Sequence, residues 1–396
     1  MARVLSRPLR TAGAAAATAL VVLAPPGARP AAAGEPVRLP GVSTRLADGA
    51  PCAKASDRTA EARPWTWQAL GLPQSWRLAR GDGVTVAVVD TGVGTGIPAL
   101  SGRVTALDGA GRDCVGHGSF AAGLIAAAPA DGTGVAGVAP RARILAVRGT
   151  DERGTPSAGR VARGVRAAVD AGADVVYVAH ALPTGRKELT AAVAHATGND
   201  VLVVAPTAPD AAPLDPRTRR PDPTARPYFP AFVPQVLSVV DHGPGGTRPE
   251  GAPQPFAPDL SAPGDLVVSV GPRGSGHYIG SGSSLAAAAA AGAAALVRAR
   301  HPELSAAEVA RRLMGAAYPA TVPRLDPYAA LSALLPEGRQ SVPEPEPAPL
   351  PPSVPHAPRH RALVLAGGAG LLVLLVAAAA VVVPRGRARG WRPAGG

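Results

Sequence analysis

Between about residues 65 and 335 the chain alternates two kinds of apolar pattern. The first is a short, unbroken, valine-rich run: VTVAVVD (84–90), RILAVRG (143–149), DVVYVAHA (174–181), NDVLVVAP (199–206), VLSVVD (236–241) and LVVSVG (266–271). Runs without polar alternation read as strands buried on both faces, the pattern of a parallel sheet covered by helices. The second kind is longer and predicts helices over 117–127, 157–171, 188–197, 284–300 and 305–317. Strand and helix in alternation predict an α/β fold, a doubly wound parallel sheet with helices on both faces and function at the carboxyl ends of the strands. Residues 205–235 are dense in proline and charge and read as a long surface insertion.

The flanks carry other patterns. Residues 1–33 begin with Arg3, Arg7 and Arg10, pass through an apolar run and end on small residues at Ala31 and Ala33, which predicts a signal peptide cut after Ala33. Residues 34–64 are polar and rich in Pro and Ala, an arm without its own core, and 65–335 form the main domain. Residues 336–361, with PEPEPAPLPPSVPHAP, predict a stiff spacer. The uncharged run 362–383 is long enough to span a bilayer. The tail 384–396 carries Arg385, Arg387, Arg389 and Arg392 and no acid, so the positive-inside bias places it in the cytoplasm. The expected topology is a single-pass protein of the cell membrane with an extracytoplasmic body.

Composition changes this picture little. With 47 Gly and 45 Pro beside a 46% hydrophobic share, the chain reads as a packed core with long loops. A net charge of +12 raises the question of nucleic acid. The only lysines are Lys54 and Lys187, the arginines are spread, and no zinc-finger or aromatic RNA-binding motif accompanies them. A coding bias towards arginine is the reading preferred, with no nucleic-acid partner. Cys52 and Cys114 are too few for a thiolate zinc site, and outside the cytoplasm such a pair is expected to be bridged.

Three segments place reactive side chains at a strand end or a helix start. Asp90 closes the run VAVVD before a Gly turn, His117 stands between two glycines ahead of an apolar helix, and Ser284 opens an alanine-rich helix in GSGSSLAAAAAAGAAALVRARH (280–301). Alone, each has a plain structural reading: a turn cap, a structural histidine, a helix N-cap. Together they supply carboxylate, base and nucleophile. A serine hydroxyl is a weak nucleophile until an imidazole takes its proton, and the imidazole needs a carboxylate to fix its tautomer and stabilise its charge. The Ser284 backbone N–H, at a helix N-terminus, is then a donor for a developing oxyanion.

These segments resemble the motifs of the subtilisin-like (S8 family) serine proteases: VTVAVVDTGV, GHGSFAAGLIAA and GSSLAAAAAAGAAALVRARHPELSAAEV, with GVAPRARILAVRG, YFPAFVPQVLSVV and LSAPGDLVVSV between them. The signal peptide, spacer, C-terminal anchor and placement of Cys52 and Cys114 resemble the mycosins, the membrane-anchored proteases of type VII secretion systems. The resemblance implies a subtilisin-like sheet, a triad of Asp90, His117 and Ser284, a Cys52–Cys114 disulfide, a protein or peptide substrate, and a place beside a type VII secretion membrane complex. It implies no cofactor and no catalytic metal, and leaves structural calcium open.

The chain departs from the family pattern in places. The family strand that NDVLVVAP matches usually ends in Ala-Gly-Asn, whose Asn donates to the oxyanion. Here the place reads Pro206-Thr207-Ala208-Pro209, so the Asn position is replaced near Pro209, a residue with no donor; Asn199 lies at the wrong end of the strand, and Thr207 is at best a weaker donor. Ala179-His180-Ala181 replaces the usual Ser-x-Gly turn, with His180 expected to be a satisfied, non-catalytic histidine. Ser283 stands for the usual Thr and Ala288 for the usual Pro, both mild changes. The expected function is an endopeptidase with a weakened oxyanion hole. The alternative is a protease-shaped scaffold of a secretion complex with little turnover. A binding module without hydrolase chemistry explains neither the order of the motifs nor the strands between them.

Overall fold

The computed structural model describes residues 37–334 and 357–390. The expected signal peptide, nearly all of the spacer and the end of the tail lie outside the described residues. Two compact units divide at residue 335, the first holding the folded domain and the second the C-terminal helix.

In the first unit, the short helices α1 (Thr66–Ala69) and α2 (Leu72–Ser75) precede β1 (Thr85–Asp90). There follow β2 (Val104–Ala106), α3 (His117–Ala126), β3 (Arg143–Arg148), α4 (Ala158–Asp170), β4 (Val175–Val178), α5 (Arg186–Gly198) and β5 (Leu202–Pro206). The chain continues through β6 (Val236–His242), β7 (Leu260–Pro263), β8 (Val267–Val270), β9 (His277–Gly280), α6 (Ser283–Arg300), α7 (Ala306–Gly315) and α8 (Pro327–Ser332). Seven strands form one parallel sheet in the order β2-β3-β1-β4-β5-β6-β7. The order reverses beside β1, the place where such sheets open a crevice at their carboxyl ends.

Both faces of the sheet are covered. Along β1, Val86 and Val88 enter the core layer beneath α3 and α6, while Ala87 and Val89 enter the layer beneath α4 and α5. This side-to-side alternation, with both sides apolar, is why the strand reads as unbroken hydrophobic sequence. Helix α6 runs across β4 to β7 and against α3, with every residue from Ser283 to Val297 buried. Its alanines provide helix propensity and a slim side that lies close to its neighbours. Side chains begin α4 and α7: Ser157 accepts from the Arg160 N–H, and Ser305 and Glu308 form a reciprocal cap.

The structure revises the expected strands in particular places. LVVSVG forms β8, but β8 pairs antiparallel with β9 in a separate ribbon instead of joining the parallel sheet. An apolar run marks burial on both faces and leaves the partner open, and α3 packs on β8 from the other side. Strands β2, β7 and β9 were not expected, being short and lacking long valine runs. The segment after β5 is a surface excursion only in part, because Tyr228, Phe229, Ala231 and Val233 return to the core.

The arm has no core of its own and lies on the domain. Val42 N–H donates to Ile279 O (2.8 Å), Ile279 N–H to Pro40 O (2.9 Å), and the Tyr278 hydroxyl to Lys54 O (2.6 Å), so the arm covers β9. A Cys52–Cys114 disulfide ties it to the loop ahead of α3. In the second unit, α9 (Ala357–Ala388) contains residues 361–388, within which an 18-residue stretch has a mean hydropathy of 2.5; this part of the helix is long and apolar enough to cross a membrane and encloses the expected span 362–383. The helix continues through Pro384 into Arg385 and Arg387.

Candidate active site

The three expected residues converge at the carboxyl edge of the sheet. Asp90 is the last residue of β1, His117 the first of α3, and Ser284 lies at the start of α6. All three are buried, and His117 Nδ1–H donates to Asp90 Oδ2 at 2.7 Å while His117 Nε2 lies 3.1 Å from Ser284 Oγ. The Thr91 N–H donates to Asp90 Oδ1 at 2.7 Å and fixes the carboxylate's other oxygen.

Local packing explains the placement. Gly116, at φ 99°, turns the chain into α3 in a conformation that favours glycine. A side chain at Gly118 would meet Gly92 O at 2.1 Å, so the start of α3 rests directly on the turn after Asp90. Beneath lies a residue the sequence reading passed over, Asp113. Its carboxylate accepts from the N–H groups of Val115 (3.1 Å), Gly116 (2.7 Å) and Ser119 (2.9 Å) and from the hydroxyls of Thr91 (2.9 Å) and Ser119 (2.8 Å). An Asp shortly before a helix with Ser two places after its first residue is a capping signal, and it was legible in DCVGHGS.

The nucleophile's surroundings depart further from expectation. Asp210, the residue after Pro209, points its carboxylate at Ser284: Oδ1 accepts from the Ser284 N–H (2.9 Å) and Oδ2 from Ser284 Oγ–H (2.6 Å). The same Oδ2 is 3.6 Å from His117 Nε2. Room for it exists because residue 282 is glycine, at φ 153°; a side chain there would fall 2.2 Å from the Asp210 carboxyl. The contact with Ser284 is thus made by the acid beside Pro209. Thr207, buried at the end of β5, bonds back to Val239 O and does not face Ser284. Ser283 Oγ donates to Asp241 (2.5 Å), which is paired with Arg248 (2.7 Å).

Charge follows from this geometry. Burial pushes Asp90 up, but the charge and hydrogen bond of His117 outweigh it and hold the carboxyl below its ordinary value. Burial pulls His117 down, yet Asp90's charge, the Asp210 carboxylate 3.6 Å from Nε2 and the hydrogen bond to Asp90 hold the imidazole well above its ordinary value. His180 is not the satisfied histidine expected. Its ring stacks 6.3 Å from that of His117, its Nε2 is 3.8 Å from Asp90 Oδ1, and among the described residues that nitrogen has no hydrogen-bond partner. Burial is the main reason it titrates below the ordinary histidine value. Among the described residues no group of three His, Cys, Asp or Glu side chains is arranged to hold a metal ion.

Comparison with known proteins shows the family to which this fold belongs. Residues 81–332 match the subtilase family (peptidase S8). Mycosin-3 of Mycobacterium tuberculosis (strain ATCC 25618 / H37Rv) is 31% identical over 370 residues, covering 77% of this chain and 80% of the relative. Among solved structures, the MycP3 protease from the type VII (ESX-3) secretion system is 30% identical with a TM-score of 0.60, over 78% of this chain and all of its own. The periplasmic assembly from the ESX-5 inner membrane complex includes a chain 26% identical with a TM-score of 0.62, over 81% of this chain and 97% of that one.

Proposed function

We propose that this chain, which belongs to the subtilase family and is of the mycosin type, is a membrane-anchored serine endopeptidase whose catalytic residues are Asp90, His117 and Ser284. The observation that carries the reading is the line from Asp90 Oδ2 through both ring nitrogens of His117 to Ser284 Oγ, at 2.7 and 3.1 Å. Neutral His117 takes the Ser284 proton as Oγ attacks the scissile carbonyl, and Asp90 stabilises the imidazolium that forms. The tetrahedral oxygen receives the Ser284 N–H at the start of α6. His117 then protonates the leaving amine, and water repeats the sequence on the acyl-enzyme.

The arrangement around the domain follows the same reading. Residues 1–33 are a signal peptide, 34–64 the arm, 65–335 the peptidase domain, 336–361 a spacer, 362–383 the span and 384–396 a cytoplasmic tail. The arginines after the span support this orientation, with the peptidase domain extracytoplasmic. Likeness to a protease of a type VII secretion system and to an inner-membrane assembly of another supports a place beside such a membrane complex. A second reading, a scaffold with little turnover, is favoured by one observation: the Asp210 carboxylate occupies the donors that an oxyanion needs.

The test is covalent labelling of the detergent-solubilised full chain by a fluorophosphonate, beside Ser284→Ala. The expected result is labelling that disappears in the variant. An unlabelled, folded wild-type chain across the pH range favours the scaffold, and equal labelling of the variant overturns the site assignment.

A further inference from the structure

The geometry points to Asp210 as an acid that operates the oxyanion hole: as a carboxylate it fills the hole and holds Ser284, and it becomes a donor to the tetrahedral intermediate only on taking the proton that His117 carries at rest. This rests on the endopeptidase reading and adds a catalytic residue to it.

Ser284 Oγ has one hydrogen, and at rest Asp210 Oδ2 accepts it at 2.6 Å, shorter than the 3.1 Å to His117 Nε2. The hydroxyl therefore points away from its base. An imidazolium fits this state, with Nδ1–H on Asp90, and Nε2–H directed to Oγ and towards Oδ2 at 3.6 Å. A protonated His117 accepts nothing, and an ionised Asp210 repels an oxyanion, so the resting arrangement is unproductive twice over. Both faults are cured by the same proton. His117 Nε2 passes its proton to Ser284 Oγ as Oγ passes its own to Asp210 Oδ2. One positive and one negative charge become two neutral groups, with no proton gained or lost. Ser284 O–H now points at neutral Nε2, and Asp210 has become a donor.

Attack can follow. Oγ bonds to the carbonyl carbon, its proton goes to Nε2, and the carbonyl π pair moves onto oxygen. That oxygen takes the place of Asp210 Oδ1 on the Ser284 N–H and accepts from Asp210 O–H. Collapse re-forms the carbonyl, breaks the C–N bond and sends the His117 proton to the amine. The competent form is the minor tautomer of a site holding one shared proton, so catalysis needs one proton on the His117–Asp210 pair, neither none nor two.

The groups facing Asp210 agree with a proton shared only with His117. From α3 comes His117 itself. From β1 comes Asp90, already paired with His117. From β4 and just beyond it come Tyr177, whose hydroxyl burial and the charges of Asp90 and Asp210 push well above its ordinary range, and His180, which favours its neutral form. The first turn of α6 carries no acid, and Asp241 of β6 is engaged by Ser283 and Arg248. Further along Asp210's own segment, Asp215 binds the N–H groups of Arg217 and Thr218, and Asp222 pairs with Arg226.

The test compares wild type with Asp210→Asn, each as the full chain, by the rate of Ser284 labelling with a fluorophosphonate across pH. The wild type is expected to give a bell. In the Asn variant, whose amide donates at every pH, the alkaline limb disappears and the rate on that side rises about 10²-fold, the scale of a single oxyanion donor. Labelling of both with the same profile overturns the role of Asp210 and leaves the endopeptidase reading standing. Absence of labelling in both overturns the endopeptidase reading, and NMR titration of His117 in ¹⁵N-histidine-labelled chains then judges the shared proton. A midpoint that falls in Asp210→Asn supports the coupling, and an unmoved midpoint overturns it.

Discussion

Helices α3 and α6 begin at the same edge of the sheet, and each receives an aspartate from outside the helix on a first-turn N–H, Ser119 in α3 and Ser284 in α6. At α3, Asp113 takes three backbone donors and two hydroxyls, none of which the proposed chemistry uses. At α6, Asp210 takes the Ser284 N–H and Oγ–H, both of which the chemistry needs. Physically the contacts are the same kind, a carboxylate on a positive helix end. The difference lies in what the donors are for. One acid makes a rigid seat for His117, and the other competes with the substrate.

His117 joins the two ends, so its partner offers the largest effect. Asp90→Asn leaves an amide that no longer fixes the tautomer or stabilises the imidazolium, and a loss of about 10⁴ in kcat is expected from peptide hydrolysis assays. A loss below tenfold would mean that the Asp113-capped seat alone positions the imidazole. Next comes stability. Asp113→Ala orphans five buried donors and should lower unfolding free energy by about 3–5 kcal/mol in a denaturant titration, whereas Asp210→Ala should stay within about 1 kcal/mol of wild type. Equal losses would erase the distinction between the two caps.

A subtler effect concerns pH. His117 titrates higher in the fold than its unfolded value of about 6.5, so the stability it contributes is fully present below that pH and fades as pH rises through the folded value. Asp90, held lower than its ordinary 3.8, behaves oppositely and loses its contribution as pH falls through its folded value. Asp210→Asn removes one of the groups that raise His117. The stability of wild type over that variant should therefore shrink between pH 6 and strongly alkaline pH in thermal melts. A constant difference would show that the two helix ends are not coupled through His117. The smallest change is expected at His180, which packs beside His117 with no partner for Nε2 among the described residues. His180→Ala should alter stability by less than about 1 kcal/mol and move KM more than kcat on peptides; a large fall in kcat would give the ring a part in seating His117.

How much of this was legible varied with the distance over which each residue acts. Asp90, His117 and Ser284 stand in segments whose turns, glycines and apolar runs are local, and local pattern placed them at strand and helix ends. Asp113 left a readable capping signal beside its own helix. Asp210 left none, because nothing around PTAPD says that this acid will meet residue 284. The departure was read at Pro209, where a donor is missing, while the structure puts the weight one residue on, where an acceptor is present. LVVSVG shows the same limit, since its burial was readable and its antiparallel partner was not.

The sequence by itself determined the layered α/β domain, the strand and helix ends that carry Asp90, His117 and Ser284, and the apolar C-terminal run, because periodicity, turn residues and length act within a few residues of chain. Only the tertiary structure decided which charge faces which donor. Asp210 and Ser284 are 74 residues apart and meet because β5 ends and α6 begins at the same edge and Gly282 leaves the space. Electrostatic balance at a site is a sum over neighbours in space, and it forms only once the sheet has gathered them.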